Sequence, residues 1–115
     1  MQSKWAVTLA LYLESEMWYN IRMTLADIQE KARPILEQHN AREAYVFGSA
    51  ARDEARADSD IDILARFDHI GGLFGYMRIK HDLEDALGRT VDLVQMEALK
   101  PEFKAYVDKD KVRIL

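Results

Sequence analysis

The sequence contains no cysteine, so neither a disulfide framework nor a thiolate zinc site is available to it. Its three histidines, His39, His69 and His81, are too scattered to suggest an imidazole ligand set; His39, close to a predicted helix end, is expected to favour the helix dipole. Two prolines and five glycines in 115 residues leave no Pro- or Gly-rich linker, and the chain shows neither low-complexity tract nor internal repeat. Basic residues are outnumbered, 16 against 20, for a net charge of −4. That balance argues against broad binding to nucleic acid or to an anionic membrane surface. Long apolar runs are missing too. Trp5 to Leu13 gives nine mostly apolar residues, far below the roughly twenty that a membrane span requires. No small-residue cleavage site follows it, and Glu14 and Glu16 come directly after, so a retained extension on a cytoplasmic protein is expected.

What is present is an ordinary globular balance, 49% hydrophobic and 31% charged, in a length that suits one core. Residues 1–22 read as an N-terminal extension. Trp5, Leu9, Tyr12, Leu13 and Met17 fit a helical stripe, whereas Trp5, Val7, Leu9, Leu11 and Leu13 alternate like a strand. Ala and Leu content favours the helix. One domain is expected over 23–115. There "TLADIQEKARPILEQHN" predicts a helix capped by Thr24, with Leu25, Ile28, Ala32, Ile35 and Leu36 on one face and a bend or break at Pro34. "EAYVFGS" predicts a strand ending at Gly48, and "DIDILARF" an alternating strand. Leu73, Tyr76, Met77, Lys80, Leu83 and Leu87 predict a second helix, ended by Gly88. "TVDLVQM" reads as a third strand, "PEFKAYVDKD" as a helix opened by Pro101, and "KVRIL" as a short closing strand. The order α-β-β-α-β-α-β implies an α/β or α+β fold, with a small mixed sheet and helices packed on it.

The chemistry concentrates at the mouths of the strands. Asp is normally avoided in strands, yet Asp60 and Asp62 open the second one, two residues apart and thus on one face, about 6–7 Å from each other. Like charges so placed repel and raise each other's pKa; a divalent cation removes that conflict. Asp92 interrupts the apolar run Val91-Asp92-Leu93-Val94, and strand pairing beside Asp60 and Asp62 would bring it to the same point. Three oxygen donors suit Mg²⁺ and do not suit Zn²⁺. Gly48-Ser49 supplies the complement, a turn whose backbone N–H groups and hydroxyl face incoming anions. Separately, a Gly-Ser pair is an ordinary turn, and Asp-x-Asp an ordinary solvated strand entry. The combination, Gly-Ser, ten residues and Asp-x-Asp, arises by chance in roughly one chain in a thousand of this length. An anion-binding turn facing an acidic cation site is what nucleoside triphosphate chemistry needs.

Gly48, Ser49, Asp60 and Asp62 reproduce the GSx10DxD pattern of the DNA polymerase β-like nucleotidyltransferases. "YVFGSAARDEARADSDIDILARF", "LGRTVDLVQMEAL" and "KDKVRIL" resemble the minimal nucleotidyltransferase (MNT) domain of HEPN–MNT toxin–antitoxin pairs, over residues 23 to 115. The resemblance implies the polymerase β-like nucleotidyltransferase fold, and an enzyme that transfers AMP from ATP to a tyrosine of a partner HEPN ribonuclease, silencing it within a toxin–antitoxin hetero-oligomer. Carried over, Asp60, Asp62 and Asp92 would hold two Mg²⁺ ions, with Asp92 helping to deprotonate the attacking hydroxyl. Gly48 and Ser49 would seat the β- and γ-phosphates, and Arg52, less surely Arg56, would neutralise the leaving pyrophosphate. Relatives often read Gly-Ser-Arg-Ala-Arg-Gly here; this chain has Ala50 for the first Arg and Asp53 for the last Gly, and keeps Arg52.

Two alternatives belong to other classes: an antitoxin that acts by binding alone, and a stand-alone nucleotidyltransferase for a small molecule. Clustered acids speak against the first, since a pure binder has no need of them. The lack of a second domain to hold a small acceptor speaks against the other. Tyr45 and Phe47 beside the motif are expected in the core, with contact to an adenine ring as the other use.

Overall fold

The computed structural model describes residues 23–54, 56 and 58–115; the expected extension over 1–22, and the helix anticipated in it, lie outside them. The described chain opens with helix α1, Leu25–Gln38, and Thr24 caps it as expected. The Thr24 hydroxyl accepts from the Asp27 N–H at 3.1 Å while the Asp27 carboxylate accepts from the Thr24 N–H at 3.1 Å. Two of the helix's orphan donors are thus satisfied reciprocally. Pro34 marks no break, because α1 continues through it to Gln38. Pro34 and Glu30, whose carbonyl loses its N–H partner to the proline ring, both lie on the exposed face. Solvent can satisfy that carbonyl, so the cost of the proline is small enough for packing of the opposite face to override.

Among the described residues four strands form one mixed sheet in the order β3-β2-β1-β4. Strands β1 (Ala41–Phe47) and β2 (Ile61–Phe67) pair antiparallel, as do β1 and β4 (Val112–Arg113). Strands β2 and β3 (Val91–Gln95) run parallel. A parallel pair needs a crossover, and helix α2, Gly72–Leu87, supplies it. Gly88 ends α2 in the left-handed region at φ 66°, as the sequence suggests. Helix α3, Pro101–Asp110, begins on the expected proline.

Alternation along the strands builds two unequal cores. On one face Val46, Ile61, Ile63, Val91 and Leu93 pack against Ile28, Ala32 and Leu36 of α1 and Ile79, Leu83 and Leu87 of α2. On the other, Phe47 and Leu64 meet Val107 of α3. Phe47 is therefore core, as expected. The stripe expected on α2 needs correction. Leu73 and Met77 are 72% and 52% exposed, whereas Ile79 is buried. Full burial falls on the later turns of α2; in the first two Leu73, Phe74 and Met77 point outward, while Tyr76 packs on the core and its hydroxyl donates to the Leu93 carbonyl at 2.7 Å.

Candidate active site

The site sits where β1 ends and β2 and β3 begin. Phe47, the last residue of β1, is the Cα partner of Asp62, and Gly48 then turns the chain at φ 71° into a short 3-10 turn, Gly48–Ala50. A side chain at position 48 would be strained twice, since its Cβ would lie 2.5 Å from the Asp62 Oδ2. The bare Cα of Gly48 thus makes room for the Asp62 carboxylate.

Asp62 and Asp92 are Cα partners across the parallel β2–β3 pair. Neighbouring strands lie about 4.8 Å apart, and partners of this kind project to the same side. Asp60 immediately precedes β2. Half-buried Asp62 feels all three effects expected of such a cluster. Burial, then the negative charge of Asp92, then that of Asp60 push its pKa from 3.8 up to about 6. The sheet face is also fixed. Asp62 alternates with the buried Ile61 and Ile63 and shares its side with Leu64, hence with α3.

The three carboxylates supply only oxygen donors, the set a hard divalent cation prefers. Among the described residues no three acidic or histidine side chains already stand as a group able to hold one ion. A cation is nonetheless the partner the donor set fits, because it would relieve the repulsion that raises the Asp62 pKa.

The loop after Gly48 is held largely by its own backbone. The Ser49 carbonyl accepts from the N–H groups of Arg52 at 3.2 Å and Glu54 at 2.8 Å. Arg52 itself turns towards α3. Its Nη1 donates to the Asp110 carboxylate at 2.6 Å and its Nε to the Glu54 carboxylate at 3.1 Å. Arg56 contributes through its backbone, the N–H donating to the Ser59 hydroxyl at 3.0 Å and the carbonyl accepting from Arg89 Nη1 at 2.6 Å. Tyr45 lies away from the acids; its hydroxyl donates to Glu43 at 3.0 Å, and the Lys111 ammonium sits 4.7 Å from its ring centroid. His39 caps α1 and pairs with Asp82 of α2 at 2.8 Å, a contact its sequence position did not suggest.

Two supporting residues went unnoticed in the sequence. Asp53 occupies the left-handed region at φ 57°, at the position where the related pattern has glycine, and its carboxylate accepts from the Leu25 N–H at the start of α1 at 3.3 Å. The replaced glycine was the available signal, since Asp is among the few residues that tolerate this conformation. Asp110, the partner of Arg52, gave no signal at all.

The profile of the "Polymerase beta, Nucleotidyltransferase" family matches residues 30–115. A Methanocaldococcus jannaschii protein, provisionally named a protein adenylyltransferase, is 37% identical over 93 residues, covering 81% of this chain and 100% of that protein. The protein adenylyltransferase MntA of Thermococcus cleftensis is 39% identical over 82 residues, covering 68% of this chain and 83% of its own. Two solved assemblies share the fold. A toxin–antitoxin with AMP-PNP gives a TM-score of 0.67 at 21% identity, over 76% of this chain and 72% of that one. An MNT antitoxin in complex with the tri-AMPylated HEPN toxin of Shewanella oneidensis gives 0.61 at 20% identity, over 76% and 69%. With the GSx10DxD pattern, the mixed sheet that carries it and these matches together, the chain belongs to the polymerase beta nucleotidyltransferase family.

Proposed function

We propose that this chain is a cytoplasmic antitoxin that transfers AMP from ATP to a tyrosine of a partner HEPN ribonuclease and so silences it. The observation that carries the reading is the in-register meeting of Asp62 and Asp92 on one sheet face, with the Asp62 carboxyl pushed up to about 6 by burial, Asp92 and Asp60. The name of the Thermococcus relative supports AMP transfer to a protein. The AMP-PNP and HEPN complexes of the fold neighbours support a nucleotide donor and a HEPN acceptor.

In the proposed reaction the phenolic oxygen of the acceptor attacks the α-phosphorus of ATP. One P–O bond forms, the bond to the oxygen bridging the β-phosphorus breaks, and pyrophosphate leaves. Asp92 accepts the phenolic proton. Asp60, Asp62 and Asp92 would hold two Mg²⁺ ions, which would offset phosphate charge and lower the phenol's pKa from about 10. The N–H groups of the Gly48–Ser49 turn seat the β- and γ-phosphates, and the Ser49 hydroxyl donates a further hydrogen bond. Arg52, exchanging Asp110 and Glu54 for phosphate, neutralises the departing pyrophosphate.

The test is incubation with ATP labelled at the α-phosphate, Mg²⁺ and a HEPN-type ribonuclease from the same genome. Label on a tyrosine of the ribonuclease, with loss of its activity, is expected, and the Asp60→Asn/Asp62→Asn double variant should transfer none. Full neutralisation by that variant would leave binding as the mechanism. Label on a small compound with none on protein would make the chain a small-molecule nucleotidyltransferase.

A further inference from the structure

A groove of about 460 Å³ opens on the same sheet face as Asp62, between α3, the later half of β2 and the turn Met96–Ala98 that follows β3. Its floor is apolar, made by Leu64, Met96 and Leu99. Leu64, the lining residue of β2 closest in sequence to the acids, is two residues beyond Asp62 on one strand face, about 7 Å along it. Helix α3 walls it, anchored by Val107 on Phe47 and Leu64. From that helix Phe103 and Tyr106 project outward, 54% and 61% exposed, one turn apart. The groove's cations are unequally engaged. Lys111 is bound to Asp108 at 2.8 Å, and Arg66 to Glu43 and Glu97 at 3.3 and 3.8 Å. Lys104 makes no ion pair within 4 Å among the described residues; it acts on Asp108 only at longer range, which leaves its ammonium group open to a further carboxylate.

We propose that this groove and the outer face of α3 are the docking site for the acceptor protein. This inference rests on the proposed function and names the surface that function would use. The occupant is a surface segment that carries the acceptor hydroxyl, sets apolar side chains against Leu64, Met96 and Leu99, and brings a carboxylate to Lys104. Phe103 and Tyr106 cover the segment's flank. A residue whose backbone rests over Leu64 would hold a phenol-length side chain at Asp62 and Asp92, which gives the transfer its positional selectivity. Aromatic anchors beside an apolar floor, with one charge to orient the partner, are the usual composition of an interface centre.

The test compares wild type with Phe103→Ala/Tyr106→Ala and with Lys104→Glu, all three first checked for equal far-UV circular dichroism and Tm. Three quantities are read: the affinity of each chain alone for AMP-PNP, its affinity for the HEPN protein, and the acceptor KM for AMP transfer. Docking in the groove predicts that each variant weakens acceptor affinity and raises acceptor KM about tenfold or more, with AMP-PNP affinity unchanged. Parallel loss of AMP-PNP affinity would overturn the proposal and make the groove a nucleoside subsite. Unchanged acceptor affinity in both variants would overturn it as well. Should wild type bind the HEPN protein yet transfer no AMP, the functional reading fails, and the groove is still judged by the same binding constants.

Discussion

Asp62 lies between two constraints: Asp92 is its Cα partner on β3, and the bare Cα of Gly48 leaves the space its carboxylate fills. Burial and two neighbouring negative charges hold its pKa near 6, so the ionised form is less favourable in the folded protein than in the unfolded chain. Its contribution to stability is therefore fully present below about pH 4 and is lost as pH rises through about 6.

Asp62→Asn removes that loss. Without divalent cation, the variant should melt above wild type at pH 7.5, and the difference should close by pH 4, as thermal melts across that range will show. Protons and cation compete for Asp62, so the apparent affinity for a divalent cation should fall as pH drops below about 6. A melt difference independent of pH would contradict the electrostatic origin of the shift.

Gly48→Ala tests the contact that positions Asp62. The left-handed conformation costs a β-carbon about 1–2 kcal/mol, and the added carbon must displace a carboxylate oxygen 2.5 Å away. A Tm lowered by roughly 5–10 °C is expected, with AMP transfer down about a hundredfold because the acid is misplaced. Calorimetry and a transfer assay read the two effects separately.

Gly75→Ala probes the start of α2, away from the chemistry. A Cβ there would lie 1.7 Å from the Ile70 carbonyl oxygen, a backbone atom that cannot move aside without unwinding the first turn. Destabilisation of about 2–3 kcal/mol is expected in urea unfolding. A neutral result would mean that the loop before α2 relaxes freely.

Arg52→Ala should raise the KM for ATP several-fold while kcat falls less, if the guanidinium leaves Asp110 and Glu54 to meet the phosphates. Asp110→Asn, which releases one of its tethers, should lower that KM. Identical KM values in all three proteins would confine Arg52 to tying the loop to α3.

The order of elements, and the placing of Asp60, Asp62 and Asp92 at the heads of neighbouring strands, were legible because each rests on local rules. Alternation fixed the face of Asp62, a capping residue marked the start of α1, and an acid inside an apolar run singled out Asp92. Pro34 left a break open because its penalty depends on which face it occupies, which only the packed helix decides. Leu73 and Met77 misled because heptad-like spacing does not say how far a helix overhangs its sheet. Ile79, one turn beyond Tyr76, was available to the same periodicity. The pairing of Arg52 with Asp110 joins residues 58 positions apart, and such contacts follow from topology, not from pattern.

A single cation site shared by the heads of β2 and β3 is most directly tested by Mn²⁺ binding, read by electron paramagnetic resonance on wild type, Asp60→Asn, Asp62→Asn and Asp92→Asn in the presence of AMP-PNP. Each substitution should weaken Mn²⁺ binding about tenfold or more. Binding by Asp92→Asn equal to wild type would place the third carboxylate outside the site and contradict the proposed active centre.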